Sequence, residues 1–362
     1  MKKIISLFLL LLLTVSMLAG CKDDVIGDYE YDYVEQVKEE ITLNMYIISP
    51  DPTAASINTV QREIREYALR KFKVKLEVKY FTESEYAAKV DEAMASDAID
   101  AHIVLINSEN MFNSLVAADK LVNLDPAFES KQYGMLNAEI ARPLLDAAMY
   151  QKAGAETASH YCVPNNRVLG TYTYMTIERN IAHELGYSLT ALEAMQTYED
   201  TAQLRAYIEA AGKNPEDYVQ IVTGGMYEDQ QAYKANGYYC AVIEKPTVTK
   251  ADAYRSAFAI TTDCAEENYD RAMEIIYAIN MDSSLRNLLQ YGVKNTNYYL
   301  DESGKNVIFD GVDENRIYRM DLLYTGNLFK ALFCEEYGFT SDVAKNGNKQ
   351  NAEASYVAGG TN

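Results

Sequence analysis

The apolar positions of the chain switch between two periods. Ile41 to Ile48 (ITLNMYII) is a β-rich run closed by Ser49-Pro50-Asp51-Pro52. Over 57–71, Ile57, Val60, Ile64, Tyr67 and Ala68 fall at helical spacing with charges between them. Lys73 to Phe81 (KVKLEVKYF) alternates with period two, the signature of a half-buried strand. Residues 83–96 return to a helix, and Ile99 to Ile106 predicts a third strand ended by Asn107-Ser108. Strand, helix, strand, helix, strand with short connections implies parallel pairing with helices on the sheet faces, an α/β arrangement.

Further along, Met111 to Tyr150 reads as mostly helical, broken at Asn123-Leu124-Asp125-Pro126 and at Pro143. Residues 151–160 read as a loop, and Cys162 to Arg167 as a turn cluster before a strand from Leu169 to Thr176. Helices are expected over 178–186 and 199–212, and strands at Val219 to Thr223, Gly237 to Ile243 and Ser256 to Thr262. Residues 265–291 carry the helical stripe Ala272, Ile275, Ile276 and Ile279. A hairpin is expected from Tyr298 to Phe309 around Glu302-Ser303-Gly304. Ser341 to Asn362 is polar and is expected to fray or drape over the surface.

The first segment reads as an address. Lys2 and Lys3 precede an apolar run from Ile4 to Met17, shorter than the ~20 residues of a spanning helix and suited to a cleaved export signal. Leu18-Ala19-Gly20-Cys21 resembles the bacterial lipobox, which implies acylation of the Cys21 thiol and a mature chain beginning there; an ordinary secretory signal that happens to end in Cys is the alternative. Several acyl chains on one residue suffice for stable anchoring. Residues 21–40 then form a charged tether, and the protein is expected outside the cell, on the outer face of the cytoplasmic membrane.

Composition narrows the function. Among 362 residues, 53 acids stand against 33 bases for a net charge of −20, which repels phosphate backbones and argues against nucleic acid as a partner. Thirty Tyr and no Trp supply flat apolar faces that each carry a hydroxyl. Cys162, Cys240, Cys264 and Cys334 match no metal spacing and allow either disulfides or buried thiols; His102, His160 and His183 are isolated, so neither a metal nor a cofactor is expected. The motifs G-x-S-x-G, H-E-x-x-H, G-x-G-x-x-G and the P-loop are all absent.

A lipobox, an acidic linker and an α/β lobe in that order resemble the extracellular solute-binding lipoproteins of bacterial ABC importers, and several stretches resemble the carbohydrate-binding branch, family 1. They are 100–126 (with DAHIVLINS and KLVNLDP), 161–178 (YCVPNNRVLGTYTYMTIE), 256–293 (with SAFAIT and LRNLLQYG) and Tyr318 to Phe329 (YRMDLLYTGNLF). The resemblance implies an α/β, two-lobed periplasmic-binding-protein-like (type II) fold with a central cleft and crossover hinge strands. The first lobe is expected at 41–127 plus about 256–292. The second lobe and hinge are expected at about 128–255 plus about 293–340, and the tail at 341–362. The interval Tyr198 to Tyr218 is short for the family, so the second lobe reads as trimmed.

Such a protein would be a monomer that captures a sugar and passes it to permease subunits without changing it. Ligands of open α/β sheets collect at the carboxyl ends of the strands, which makes Ser49, Asp51, Asn107, Ser108 and Glu109 first-lobe candidates. Turn formation and helix capping are the competing roles for these residues. Asn165, Asn166 and Arg167 lie beside the crossover, where Arg167 would meet either an anionic ligand group or a lobe Asp. Tyr172, Tyr174 and Tyr227 are candidates for stacking on a sugar ring or, alternatively, for covering the sheet. A lipid-anchored glycosidase and a stand-alone ligand-sensing lipoprotein are the rival readings. The first demands paired carboxylates across a cleft.

Overall fold

The computed structural model describes residues 38–96 and 101–358; Cys21 and the export segment lie outside the described residues. The chain runs β1 (Ile41–Ile48), α1 (Ile57–Phe72), β2 (Val74–Phe81), α2 (Glu83–Met94), β3 (Ile103–Ile106) and α3 (Glu109–Ala117). Short helices lead through α4 (Arg142–Ala148) to β4 (Val163–Pro164). The second lobe contains β5 (Tyr172–Glu178), α5 (Tyr198–Ala210), β6 (Gln220–Gly225), α6 (Tyr227–Ala235) and β7 (Tyr238–Glu244). The chain returns as β8 (Ala257–Ile260), α7 (Tyr269–Met281), α8 (Ser283–Tyr291) and, near the end, α9 (Ser341–Glu353).

The first sheet has the order β2-β1-β3-β8-β4, with β1 parallel to both β2 and β3 and β8 antiparallel to its two neighbours. The central β1 and β3 read as near-continuous apolar runs because both their faces are covered, whereas β2, at the edge, alternates Val74, Leu76 and Val78 inward with exposed Lys75 and Lys79. In α1 the buried positions Val60, Ile64 and Ala68 recur every four residues and lie in the same core. Fully burying a side chain such as Ile64 stabilises by about 1.5–3 kcal/mol.

The second sheet is antiparallel, β6-β5-β7, and has its own core. Met175 and Ile177 point to one face, where Leu192, Leu204 and Ile208 from helices cover them. Two connections join the lobes: Leu169 to Thr171 outward and Lys245 to Thr247 on the return. They touch at Gly170, whose φ of +56° and backbone position leave no room for a side chain, since a Cβ there would sit 2.7 Å from the Thr247 carbonyl oxygen.

Several expectations are corrected. The strand placed at Leu169 to Thr176 begins at Tyr172, because residues 169–171 are the crossover. The helix over 265–291 breaks at Asp282, which is extended and caps α8 by accepting from Ser284 N at 2.7 Å. Residues 341–353 are a helix packed on the crossover with Gln350 fully buried, not a fraying polar tail; its polar inner face made it read as solvated. Phe128, Leu136, Leu144, Tyr161 and Val163 all bury in the first core, as do Tyr254, Tyr318 and Met320. Tyr298, Val307, Phe309 and Cys334 form a small cluster with Tyr291, at the end of α8, and the remaining two clusters draw on residues between Tyr172 and Glu244.

Candidate functional site

The carboxyl ends of β1, β2 and β3 lie side by side, because β1 runs parallel to β2 from Ile41↔Val74 to Ile48↔Phe81 and to β3 at Met45↔Ile103 and Tyr46↔Val104. Ser49 is buried, donates its N–H to the Phe81 carbonyl at 2.8 Å and accepts from Asp51 N at 3.3 Å. Asp51 is exposed and accepts from Thr53 N and Oγ1 at 3.0 and 2.8 Å. Ser108 caps α3 by accepting from Met111 N at 3.2 Å, and Asn107 and Glu109 flank it, both half-buried. The turn and cap roles are thus realised, while Asp51, Asn107 and Glu109 remain reachable from solvent.

The segment 317–325 comes down beside these ends. Ser56 Oγ donates to the Ile317 carbonyl at 3.0 Å, and the Tyr324 hydroxyl lies 3.5 Å from Glu83 Oε1. Burial, with the Glu83 charge second, raises the Tyr324 pKa. Arg255 is exposed and acts on the same phenol. Tyr324, Glu83 and Arg255 were not singled out from the sequence: they come from three distant segments, and only the folded chain sets them together.

At the crossover the three candidates are buried and tie the chain together. Asn165 Nδ2 donates to Ser256 Oγ at 2.8 Å and to the Leu323 carbonyl at 3.0 Å, leaving its Oδ1 buried without a partner. Asn166 uses both ends of its amide, donating to the Glu139 carbonyl at 2.9 Å and accepting from Ala141 N at 3.3 Å. Arg167 meets neither a carboxylate nor solvent. Its Nη2 donates to the Asp252 main-chain carbonyl, its Nη1 has no partner, and burial lowers its pKa to about 10. The Asp252 carboxylate is engaged instead in capping at Thr249.

In the second lobe, helix α6 was not foreseen, and it changes the setting of the tyrosines. It covers the face of β5 that carries Tyr172 and Tyr174, so both rings, 1% exposed, form a buried cluster with Val222, Tyr233 and Cys240. The two rings stack 5.4 Å apart at 15°. Tyr174 donates to the Met226 carbonyl at 2.8 Å, whereas the Tyr172 hydroxyl is buried with no partner and burial pushes its pKa up to about 12. Tyr227, at the start of α6, is half-buried, 6.5 Å from Tyr172, with Lys349 Nζ 4.9 Å over its ring. Of the three, Tyr227 alone keeps an accessible edge.

Two surface cavities are formed elsewhere: about 590 Å³ along β7 beside Arg179, Gln230 and Lys234, and about 680 Å³ between Arg142 and Asn351. Of the candidate residues only Asn166 lines either one. The four described cysteines are free and buried, and no helix among the described residues is long and apolar enough to cross a membrane.

An α/β lobe with a five-stranded sheet, a smaller antiparallel lobe and two connections between them constitute the fold of the two-lobed solute-binding proteins. The chain is similar to the N-glycan transport solute binding protein NgtS of Streptococcus pneumoniae, at 15% identity and a TM-score of 0.56 over 88% of this chain and 84% of that one. The complex of NgtS with Man5GlcNAc matches at 14% identity and a TM-score of 0.56, covering 88% and 83%. The complex with Man1GlcNAc matches at 16% and 0.54, covering 88% and 84%. No protein-family model matches the chain, and no curated protein does.

Proposed function

We propose that the protein is a lipid-anchored, extracellular solute-binding protein that takes up a carbohydrate between its lobes and delivers it, chemically unaltered, to an ABC importer. The observation that carries this reading is the likeness of fold, over 88% of the chain, to a transport protein that has been crystallised with Man1GlcNAc and with Man5GlcNAc. The acidic and amide groups at the strand ends add to it. Asp51, Asn107 and Glu109 offer acceptors suited to sugar hydroxyls, and hydrogen bonds from a hydroxyl to a carboxylate are the stronger, charge-assisted kind. Tyr227 supplies an aromatic ring on the opposite lobe. The anchor belongs to the Leu18-Ala19-Gly20-Cys21 sequence.

Thermal unfolding against a panel of mannose- and N-acetylglucosamine-containing oligosaccharides, other glycans, amino acids and peptides tests the reading. A sugar at a hundred times its dissociation constant should add about 2.7 kcal/mol to stability and be recovered intact. Stabilisation by amino acids or peptides alone, or hydrolysis of the glycan, would overturn it. Metabolic labelling with palmitate, lost in Cys21→Ser, tests the anchor.

A further inference from the structure

The outgoing crossover lies outside the described strands, and the side chains of two consecutive residues of α9 hydrogen-bond its main chain. Asn351 acts as a neighbouring strand would: its Nδ2 donates to the Arg167 carbonyl at 2.6 Å, and its Oδ1 accepts from Leu169 N at 2.9 Å. Gln350 Nε2 donates to the carbonyls of Leu169 and Gly170 at 3.0 and 2.8 Å. Its other end reaches the second lobe, where Gln350 Oε1 accepts from Tyr227 N at 3.0 Å. Gln350 is 0% exposed and Asn351 7%, so neither amide can exchange these partners for water while the helix stays docked.

The same C-terminal segment holds the return crossover. Lys245 pairs with Glu353 at 3.7 Å, Ser355 N donates to the Pro246 carbonyl at 3.0 Å, and Val357 N donates to the Val248 carbonyl at 2.9 Å. Residues 247–248 and 355–356 pair in parallel. Both connections between the lobes are therefore gripped by one element that follows them in sequence by a hundred residues or more, and one amide of that element also holds the first residue of α6.

We infer that α9 is a working part of the hinge, with Gln350 as a positioning residue that links the main chain of the crossover to the Tyr227 end of the second lobe. Rotation of the second lobe about Leu169–Thr171 moves Tyr227 relative to Gly170, and Gln350 bridges those two points. The lobes therefore change their relative orientation only together with the Gln350 contacts. A ligand drawn against Tyr227 acts on the hinge through one side chain. This deepens the solute-binding reading, but its test needs no solute.

Native-state hydrogen exchange and interlobe distance measurement on the ligand-free protein provide the test. Gln350→Met keeps the volume and removes the Gln350 side-chain hydrogen bonds to Tyr227 N and to the Leu169 and Gly170 carbonyls, along with the weak one to the Met226 sulfur at 3.9 Å. It should speed exchange of the Tyr227 amide and also of the Leu169 amide, by roughly tenfold or more, although the Leu169 amide is bonded to Asn351. Spin labels on Glu66→Cys in α1 and Gln203→Cys in α5, both exposed, should report a broader distance distribution in Gln350→Met than in the parent. Asn348→Ala, an exposed residue of the same helix, should change neither readout. An unchanged distribution together with unchanged Leu169 exchange would overturn the inference. Should Gln350→Met fail to fold, the parent decides: the Leu169 and Tyr227 amides should exchange through one shared opening below global unfolding, and unequal opening energies would refute the linkage. A glycan panel that gave no binding would remove the sugar reading and leave these outcomes as they stand.

Discussion

The ring of Tyr174 lies against the backbone of Gly225, so close that a Cβ there would be 2.5 Å from ring carbon Cε2. Gly225 ends β6, and the Tyr174 hydroxyl reaches past it to the Met226 carbonyl. The close backbone approach that a glycine permits is thus used inside the lobe, to seat a tyrosine, and not against a ligand.

Gly225→Ala should accordingly destabilise the protein. The ring must shift or β6 must move away from β5, and overpacking of this kind costs about 1–3 kcal/mol. Urea unfolding followed by tyrosine fluorescence measures the loss. A wild-type midpoint would mean that the ring yields freely.

Tyr172→Phe and Tyr174→Phe should differ in sign. Tyr174→Phe removes one of the two hydrogen bonds that the Met226 carbonyl accepts, the other coming from Asp229 N at 3.1 Å, a loss of about 1 kcal/mol. Tyr172→Phe removes a buried hydroxyl that has no protein partner, so stability should be unchanged or higher. Comparing the two melting temperatures checks this. If Tyr172→Phe proves as damaging as Tyr174→Phe, its hydroxyl has a partner in solution.

Carbohydrate affinity should separate from stability at the reachable residues. Asp51→Asn should weaken sugar binding by about 1.5–3 kcal/mol, the worth of a charge-assisted hydrogen bond, and leave unfolding nearly unmoved because the residue is exposed. Tyr227→Leu should lose about 0.5–1.5 kcal/mol of stacking. Isothermal titration with the best glycan of the panel supplies both values.

Acid should weaken the junction between α1 and α8. Burial raises the Asp282 pKa, but hydrogen bonds from Ser284 N and the Tyr67 hydroxyl, both at 2.7 Å, outweigh it, and the net shift is downward. A carboxyl depressed in the folded state stabilises above its unfolded pKa of about 3.9, and that contribution disappears as pH falls through the folded value. Asp282→Asn should therefore be less stable than the parent at pH 7 and show a flatter decline below about pH 4. Urea midpoints at pH 7 and pH 3 for both proteins decide it.

The strand and helix pattern up to Ile106 is legible in the chain because local periodicity and tertiary environment agree there: β1, α1, β2 and α2 each bury the residues their spacing selects. α6 escaped notice because none of its residues is fully buried, so it carries no apolar stripe to read. α9 escaped for a related reason: its inner face is glutamine, asparagine and glycine, chosen for hydrogen bonds to a main chain 180 residues away.

Periodicity thus settled the α/β class and the parallel start of the first sheet, since both follow from local elements joined by short connections, and composition alone settled the acidic, tyrosine-rich character. Which tyrosines are covered, which amides serve the crossover and where one lobe gives way to the other were decided by packing. Those outcomes depend on contacts between segments far apart in sequence, such as Tyr227 with Gln350 and Asn165 with Leu323, and no local pattern encodes them.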